Sequence, residues 1–293
     1  MKIYSELFFE SYNRAVEAAY DAFLNSTEGD FSRVNENREN DDREKKLNSC
    51  LQSEYTKWLD TPLETLGGKT PEEYVETVNG LSRMTEMFTY GAVACDDELP
   101  EVFIDKLRDY GENAIDMLLE TAAQNGINES DERFLVPLMA VKVLGKWKVE
   151  RAVVSLIRLL NTEGEVYDLM YETVRDALVR IDDGAIDGIC AALNSRKLSQ
   201  TAVEYLIMAL ADIGKEKRCD KIFLQLKRAF LEMTQKIIAA NCLGNYGDGR
   251  AIPALRGYLD KNGQQLDKET FCEIVSAIKR LGGRTDGLGT HKQ

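Results

Sequence analysis

The sequence predicts an all-α solenoid, an array of helical hairpins stacked side by side, and three observations carry that prediction. The stretch Lys236 to Asp260, KIIAANCLGNYGDGRAIPALRGYLD, reads as a complete unit of apolar helix, Gly/Asp turn and second apolar helix. Related units occur at Arg133 to Leu160, Leu169 to Asn194 and Ala202 to Phe230, and a half-unit, FCEIVSAIKRLGG, closes the series. The turns at Gly145, Asp183, Gly214, Gly247 and Gly282 are 38, 31, 33 and 35 residues apart, within the range of about 20–50 residues that marks solenoid arrays. Two short helices with one-sided apolar stripes cannot bury both faces alone, so each unit needs neighbours of its own kind.

Taken in order, residues 1–98 read as an acidic helical region. Ile3 to Leu24 is one amphipathic helix with Ile3, Leu7, Phe8, Val16, Ala19, Tyr20 and Phe23 apolar. Residues 25–46, strongly polar and charged, read as a flexible linker running into the next helix, with a partner-binding acidic tract as the alternative. In Leu47 to Thr89, the residues Pro62, Gly67, Gly68 and Pro71 punctuate a loop, and Thr70 with Glu73 predicts a capping box for a helix starting at Pro71. Gly68-Lys69-Thr70 is not a phosphate loop, because Leu63 stands where that loop needs glycine and no hydrophobic strand precedes it. Leu99 to Gly126, turning at Gly111, is a first unit that is more acidic and less regular. In the central unit Gly247 releases the chain from its helix and Asp248 can cap the next one. Pro253 falls in the first turn of that second helix, where its missing N–H leaves no helical bond unmade. Ile252, Leu255, Tyr258 and Leu259 form the apolar stripe there. The array is expected over residues 99–283, with residues 284–293 a flexible tail.

The pattern AANCLGNYGDGRAIPALRGYL resembles HEAT repeats, especially the short HEAT-like repeats first described in phycobilin lyases. The likeness covers about residues 99–283 and is strongest from Arg133 onward. It implies a solenoid whose second helices line the concave face. It implies no reaction, since the wider group holds many binders and only some enzymes. A shorter string, WLDTPLETLGGKTPEEY at residues 58–74, resembles a motif in the toxin-binding C-terminal domains of some bacterial antitoxins. That resemblance implies a small helical interaction module and a bacterial source, although no antitoxin DNA-binding domain precedes it.

Catalytic and metal constellations are sparse. The single histidine, His291, sits in the glycine-rich end, which sets aside histidine-based triads and also the repeated His-Glu iron sites of HEAT-repeat hydroxylases. Cys50, Cys95, Cys190, Cys219, Cys242 and Cys272 are scattered without a Cys-x-x-Cys pair, so no zinc site is read. Cys190, Cys242 and Cys272 lie among apolar helical neighbours and are expected to be reduced and packed. Asp182 and Asp183 are expected to cap the helix after them. No cofactor is implied. No run approaches the roughly 18 apolar residues of a membrane span, and no secretory pattern is seen, so the expected location is cytoplasmic.

Charge supplies the functional reading. Residues 1–132 contain 12 Lys/Arg against 30 Asp/Glu, whereas residues 133–293 contain 25 against 20. Over the turns and second helices at 146–160, 184–197, 215–230 and 249–262 there are 15 basic and 5 acidic residues. On a HEAT-like array, Lys148, Arg151, Arg158, Lys221, Lys227, Arg228, Arg250 and Arg256 form a basic stripe along the concave groove. The alternative is that such residues pair with aspartates of adjacent turns. The expected function is a non-catalytic scaffold that binds a protein partner, acidic in character, in that groove. The acidic half, from the same chain or a dimer mate, is a candidate competitor for it. The excess of acid opposes nucleic acid as the partner, and the aromatics that HEAT-like DNA glycosylases use have only Trp147 and Tyr258 as counterparts. A phycobilin-lyase-like enzyme is the other rival, and a coloured complex with bilin distinguishes it.

Overall fold

The computed structural model describes residues 2–27, 36–96, 98–124, 131–160 and 168–286. Within them the chain forms fifteen α-helices, short 3-10 turns and one isolated bridge between Leu63 and Lys69. The chain divides into two compact units, Met1–Met139 and Ala140–Gln293. The boundary expected after residue 98 therefore falls inside the first unit.

The first unit begins with α1 (Lys2–Thr27) and α2 (Glu36–Asp60), followed by α3 (Pro71–Glu76), α4 (Leu81–Ala94), α5 (Glu101–Arg108) and α6 (Glu112–Ala122). Helix α1 packs on both α2 and α4, which is why adjacent Phe8 and Phe9 are both fully buried while Tyr20, counted among the apolar positions, is half exposed. Aromatic rings dominate the contact. The Trp58 ring centroid lies 5.5 Å from that of Phe8 and 5.4 Å from that of Tyr12. Its indole N–H donates to Ser11 Oγ at 3.0 Å. The linker expectation is corrected here: Glu36 onward is the N-terminal half of α2. Packing of Tyr55 and Trp58 fixes the C-terminal half, and the N-terminal half, whose Glu, Lys and Arg residues favour helix against its Asn and Asp, propagates from it. Residues 28–35 of that segment lie outside the described residues. The predicted capping box is present: Thr70 Oγ1 accepts the Glu73 N–H at 3.2 Å and Glu73 Oε2 accepts the Thr70 N–H at 3.0 Å. The 63–69 stretch before it is a tight turn closed by the Leu63 N–H to Lys69 carbonyl bond, 2.9 Å.

The second unit opens within α7 (Leu135–Lys146) and continues through α8 (Val153–Leu159), α9 (Asp168–Ile181), α10 (Asp183–Ser195), α11 (Gln200–Ile213), α12 (Asp220–Glu232), α13 (Lys236–Tyr246), α14 (Ile252–Asn262) and α15 (Lys268–Arg280). It is an α-solenoid. First helices α9, α11, α13 and α15 pack in succession, second helices α8, α10 and α12 form the other layer, and α14 is the last second helix. Each repeat buries its stripe against the next, as in α12, where Ile222, Phe223, Leu226, Ala229 and Phe230 face inward.

One of the expected turns falls elsewhere. Gly145 lies inside α7, where an added Cβ would come within 2.6 Å of Ala177 Cα on α9; its role is close helix approach, and Lys148 takes the left-handed turn position at φ 55°. Gly214, by comparison, does end α11 where the turn is expected, at ordinary φ and facing the Tyr246 ring. By contrast Gly247 adopts φ 78° at the end of α13, Asp248 accepts the Arg250 N–H, and Pro253 stands in the first turn of α14, all as the pattern predicts.

Candidate functional site

The eight candidate cations sit on the second helices and the turns before them, yet the structure divides them by what they touch. Lys221 of α12 pairs with Asp187 of α10. Arg250 pairs with Asp248 at 2.7 Å and, one repeat back, with Asp220 at 2.7 Å, while its guanidinium carbon stands 4.3 Å from the Phe223 ring centroid. Both cations are held by carboxylate hydrogen bonds that push their pKa values up. Arg256 donates to the backbone carbonyls of Arg284 and of Asp286, the latter at 3.3 Å, so it fastens the chain beyond α15. These three are structural ties within the array.

The others differ. Arg228 donates to Asn194 Oδ1 at 2.6 Å and to Gln225 Oε1 at 2.5 Å, and Lys227 lies over the Phe223 ring at 6.0 Å. Their partners are neutral: among the described residues neither has a carboxylate within ion-pair reach. Lys148, Arg151 and Arg158 are exposed. The basic surplus of the second layer therefore contains inter-repeat ties and, at Lys227 and Arg228, cations whose charge no carboxylate offsets.

The inter-repeat ties have members the sequence reading missed. Lys217 bonds both Asp182 (3.1 Å) and Asp183 (3.0 Å) of the preceding repeat. This corrects the capping role given to Asp182, which makes no side-chain cap and holds φ 64°, whereas Asp183 stands in the first turn of α10, where its charge favours the helix dipole. The first helices carry their own row. Arg175 reaches Asp212 one repeat on, Tyr171 and Tyr205 stack at 5.1 Å, and Arg280 bonds Asn245 at 3.1 Å and Glu273 at 2.5 Å. The signal that could have found them is positional, since partners recur about one repeat apart.

Large apolar side chains were also missed. Leu224 is 61% exposed and Leu231 56% exposed on α12, and Val154 is 55% exposed on α8. Trp147 is buried and Tyr258 packs edge-on against Phe230 at 5.3 Å, so neither aromatic is presented for base stacking. Cys95 and Cys242 are buried, with thiol pKa values pushed up to about 12 by burial. Cys190 is buried too, but Cys272 is exposed, against expectation, because it lies on the side of α15 opposite Ile274 and Ile278. Among the described residues no group of three or more His, Cys, Asp or Glu is placed to hold a metal ion, and no helix is long and apolar enough to cross a membrane. His291 lies outside the described residues.

Paired helices in two layers, tied repeat to repeat by aspartate-to-cation bonds, define an α-helical repeat protein. In agreement, the model of the PBS lyase HEAT-like repeat matches residues 236–261, which are α13, its turn and nearly all of α14. Comparison with curated proteins finds no match.

Proposed function

We propose that this protein is a non-catalytic interaction scaffold that binds an acidic segment of a protein partner on its second-helix layer, the layer that lines the concave side in HEAT-like arrays. One observation carries the reading. After the inter-repeat pairs have taken Lys217, Lys221 and Arg250, the same layer still presents Lys227 and Arg228 beside neutral groups only. Surface cations without local carboxylates attract an acidic partner and lose that attraction as salt screens them. The chain's strongly acidic first 132 residues argue against a polyphosphate partner, which they would repel.

The test is affinity capture from a cell lysate at low and moderate salt, comparing the intact chain with an Arg158→Glu/Lys227→Glu/Arg228→Glu variant. Lys221 and Arg250 are left in place, since reversing them would also remove inter-repeat ion pairs. The scaffold reading expects proteins captured by the intact chain and lost from the variant. Capture of nucleic acid, or of nothing, would refute it.

A further inference from the structure

We infer that the outer face of α12 is the anchoring point of this surface and that its occupant is an acidic amphipathic helix of a protein partner. The inference rests on the scaffold reading and names its site and partner class. Leu224 and Leu231 are seven residues apart, so they stand on one side of the helix about 10 Å from each other. Between them, at the third and fourth positions, come Lys227 and Arg228. The sequence Leu-x-x-Lys-Arg-x-x-Leu is therefore one continuous stripe of apolar ends and a cationic middle.

This stripe is additional to the one that builds the fold. Ile222, Phe223, Leu226, Ala229 and Phe230 already bury the inward side of α12, so neither leucine is needed for the core. Two mostly solvent-exposed leucines one heptad apart on the same helix form the kind of apolar row that a second helix covers at an interaxial distance of about 8–10 Å.

The neighbouring helix leaves room for it. Lys221 bonded to Asp187 and Arg228 bonded to Asn194 fix the register of α12 on α10, which sets Cys190 and Ala191 level with Leu224. The exposed residues of α10 on this stretch are Asp187, Ala191 and Asn194, of which Asp187 and Asn194 are bonded to α12, while Gly188 packs against Val153 of α8. Beside Leu224 itself only the small Ala191 side chain is exposed, so an incoming helix can seat against α12 and over α10 at that level.

Charge chooses the occupant's sign. Lys227 has an aromatic ring and Arg228 two amide oxygens as partners, so the middle of the stripe keeps its full positive charge. An occupant with apolar residues one heptad apart and Glu or Asp between them satisfies both components at once. A basic helix with the same apolar residues is repelled, and an acidic segment without them loses the anchors that dominate interface energy.

The experiment uses the full chain and labelled synthetic helices in fluorescence anisotropy: one with leucines a heptad apart and glutamates between, one with those glutamates replaced by lysines, and one with the leucines replaced by serines. The inference expects saturable binding of the first only, weakened about tenfold or more by Leu224→Asp/Leu231→Asp and made salt-independent or abolished by Lys227→Glu/Arg228→Glu. None of the four positions is buried, and far-UV circular dichroism verifies that the variants fold. Equal binding of the glutamate and lysine peptides, or unchanged binding by the leucine variant, overturns the assignment. The two readings separate in the lysate: proteins captured equally by the intact chain and the leucine variant keep the scaffold and sink this site. Peptide binding that depends on the leucines, with nothing captured from the lysate, does the reverse.

Discussion

Replacing Tyr246 tests how one repeat is joined to the one before it. This side chain of α13 is fully buried, and its hydroxyl donates to the Cys219 carbonyl at 2.8 Å while accepting the Cys219 N–H at 2.8 Å. Cys219 is the residue before α12, whose first N–H groups have no helical acceptor, so Tyr246 braces the start of that helix from across the repeat junction. Tyr246→Phe removes both bonds and leaves two part-buried backbone groups without this partner, a loss of about 2 kcal/mol. For a unit of this size that is a drop of about 4–8 °C in Tm. The ring itself lies where a Cβ on Gly214 would be, 2.5 Å from Tyr246 Cε2. Gly214→Ala alone is therefore expected to destabilise by about 1–3 kcal/mol through overpacking. In a Tyr246→Ala background, which costs about 3–5 kcal/mol by the cavity it opens, the same methyl meets only the end of the Ile222 side chain, 3.0 Å away, and its penalty shrinks. Thermal and urea melts followed by circular dichroism give all four corners of the cycle. Additive effects, or a Tyr246→Phe loss below about 0.5 kcal/mol, would refute this account of the junction.

Further predictions concern strain, acid and thiols. Asp182 at φ 64°, ψ −131° occupies almost the same backbone conformation as Gly111 at φ 55°, ψ −129°; Asp182→Gly should exceed Asp182→Ala in stability by about 1–2 kcal/mol, and equal melts would contradict the strain. The Arg250 side chain holds the Asp248 carboxyl below its usual pKa, so its stabilising contribution is complete above about pH 4 and disappears as pH falls through the lowered folded-state value. The stability gap between the wild type and Asp248→Asn should accordingly be constant at neutral pH and close in acid; a gap that widens in acid reverses the sign. Limited alkylation at neutral pH should modify exposed Cys272 well before Cys95 or Cys242, whose buried thiols are pushed up to about 12. Mass spectrometry finding Cys242 among the first sites would place it nearer the surface.

Much of the fold was legible because helical repeats write their packing into local patterns. The αL glycine at Gly247, the Asp248 cap and Pro253 are each dictated by backbone chemistry within a few residues, and Thr70 with Glu73 is equally local. What failed depended on distant partners. Residues 36–46 look like a linker until Trp58, further along the same helix, is packed on Phe8. Gly145 looks like a turn until Ala177 is seen against it. The site was half legible: charge counting found the basic second layer, but only geometry separates Lys221 and Arg250, paired with carboxylates, from Lys227 and Arg228, whose partners are neutral. Leu224 and Leu231 escaped because leucine in an amphipathic helix is read as core by default, and only the inward stripe of Ile222, Leu226 and Phe230 shows that they lie outside it.

Hydrogen–deuterium exchange on the chain with and without a captured partner tests the central claim most directly. Binding on the second-helix layer predicts slowed exchange in α8, α10, α12 and α14, greatest around Leu224 to Leu231. Protection confined to first helices α9, α11, α13 and α15, or to the first unit, would contradict it.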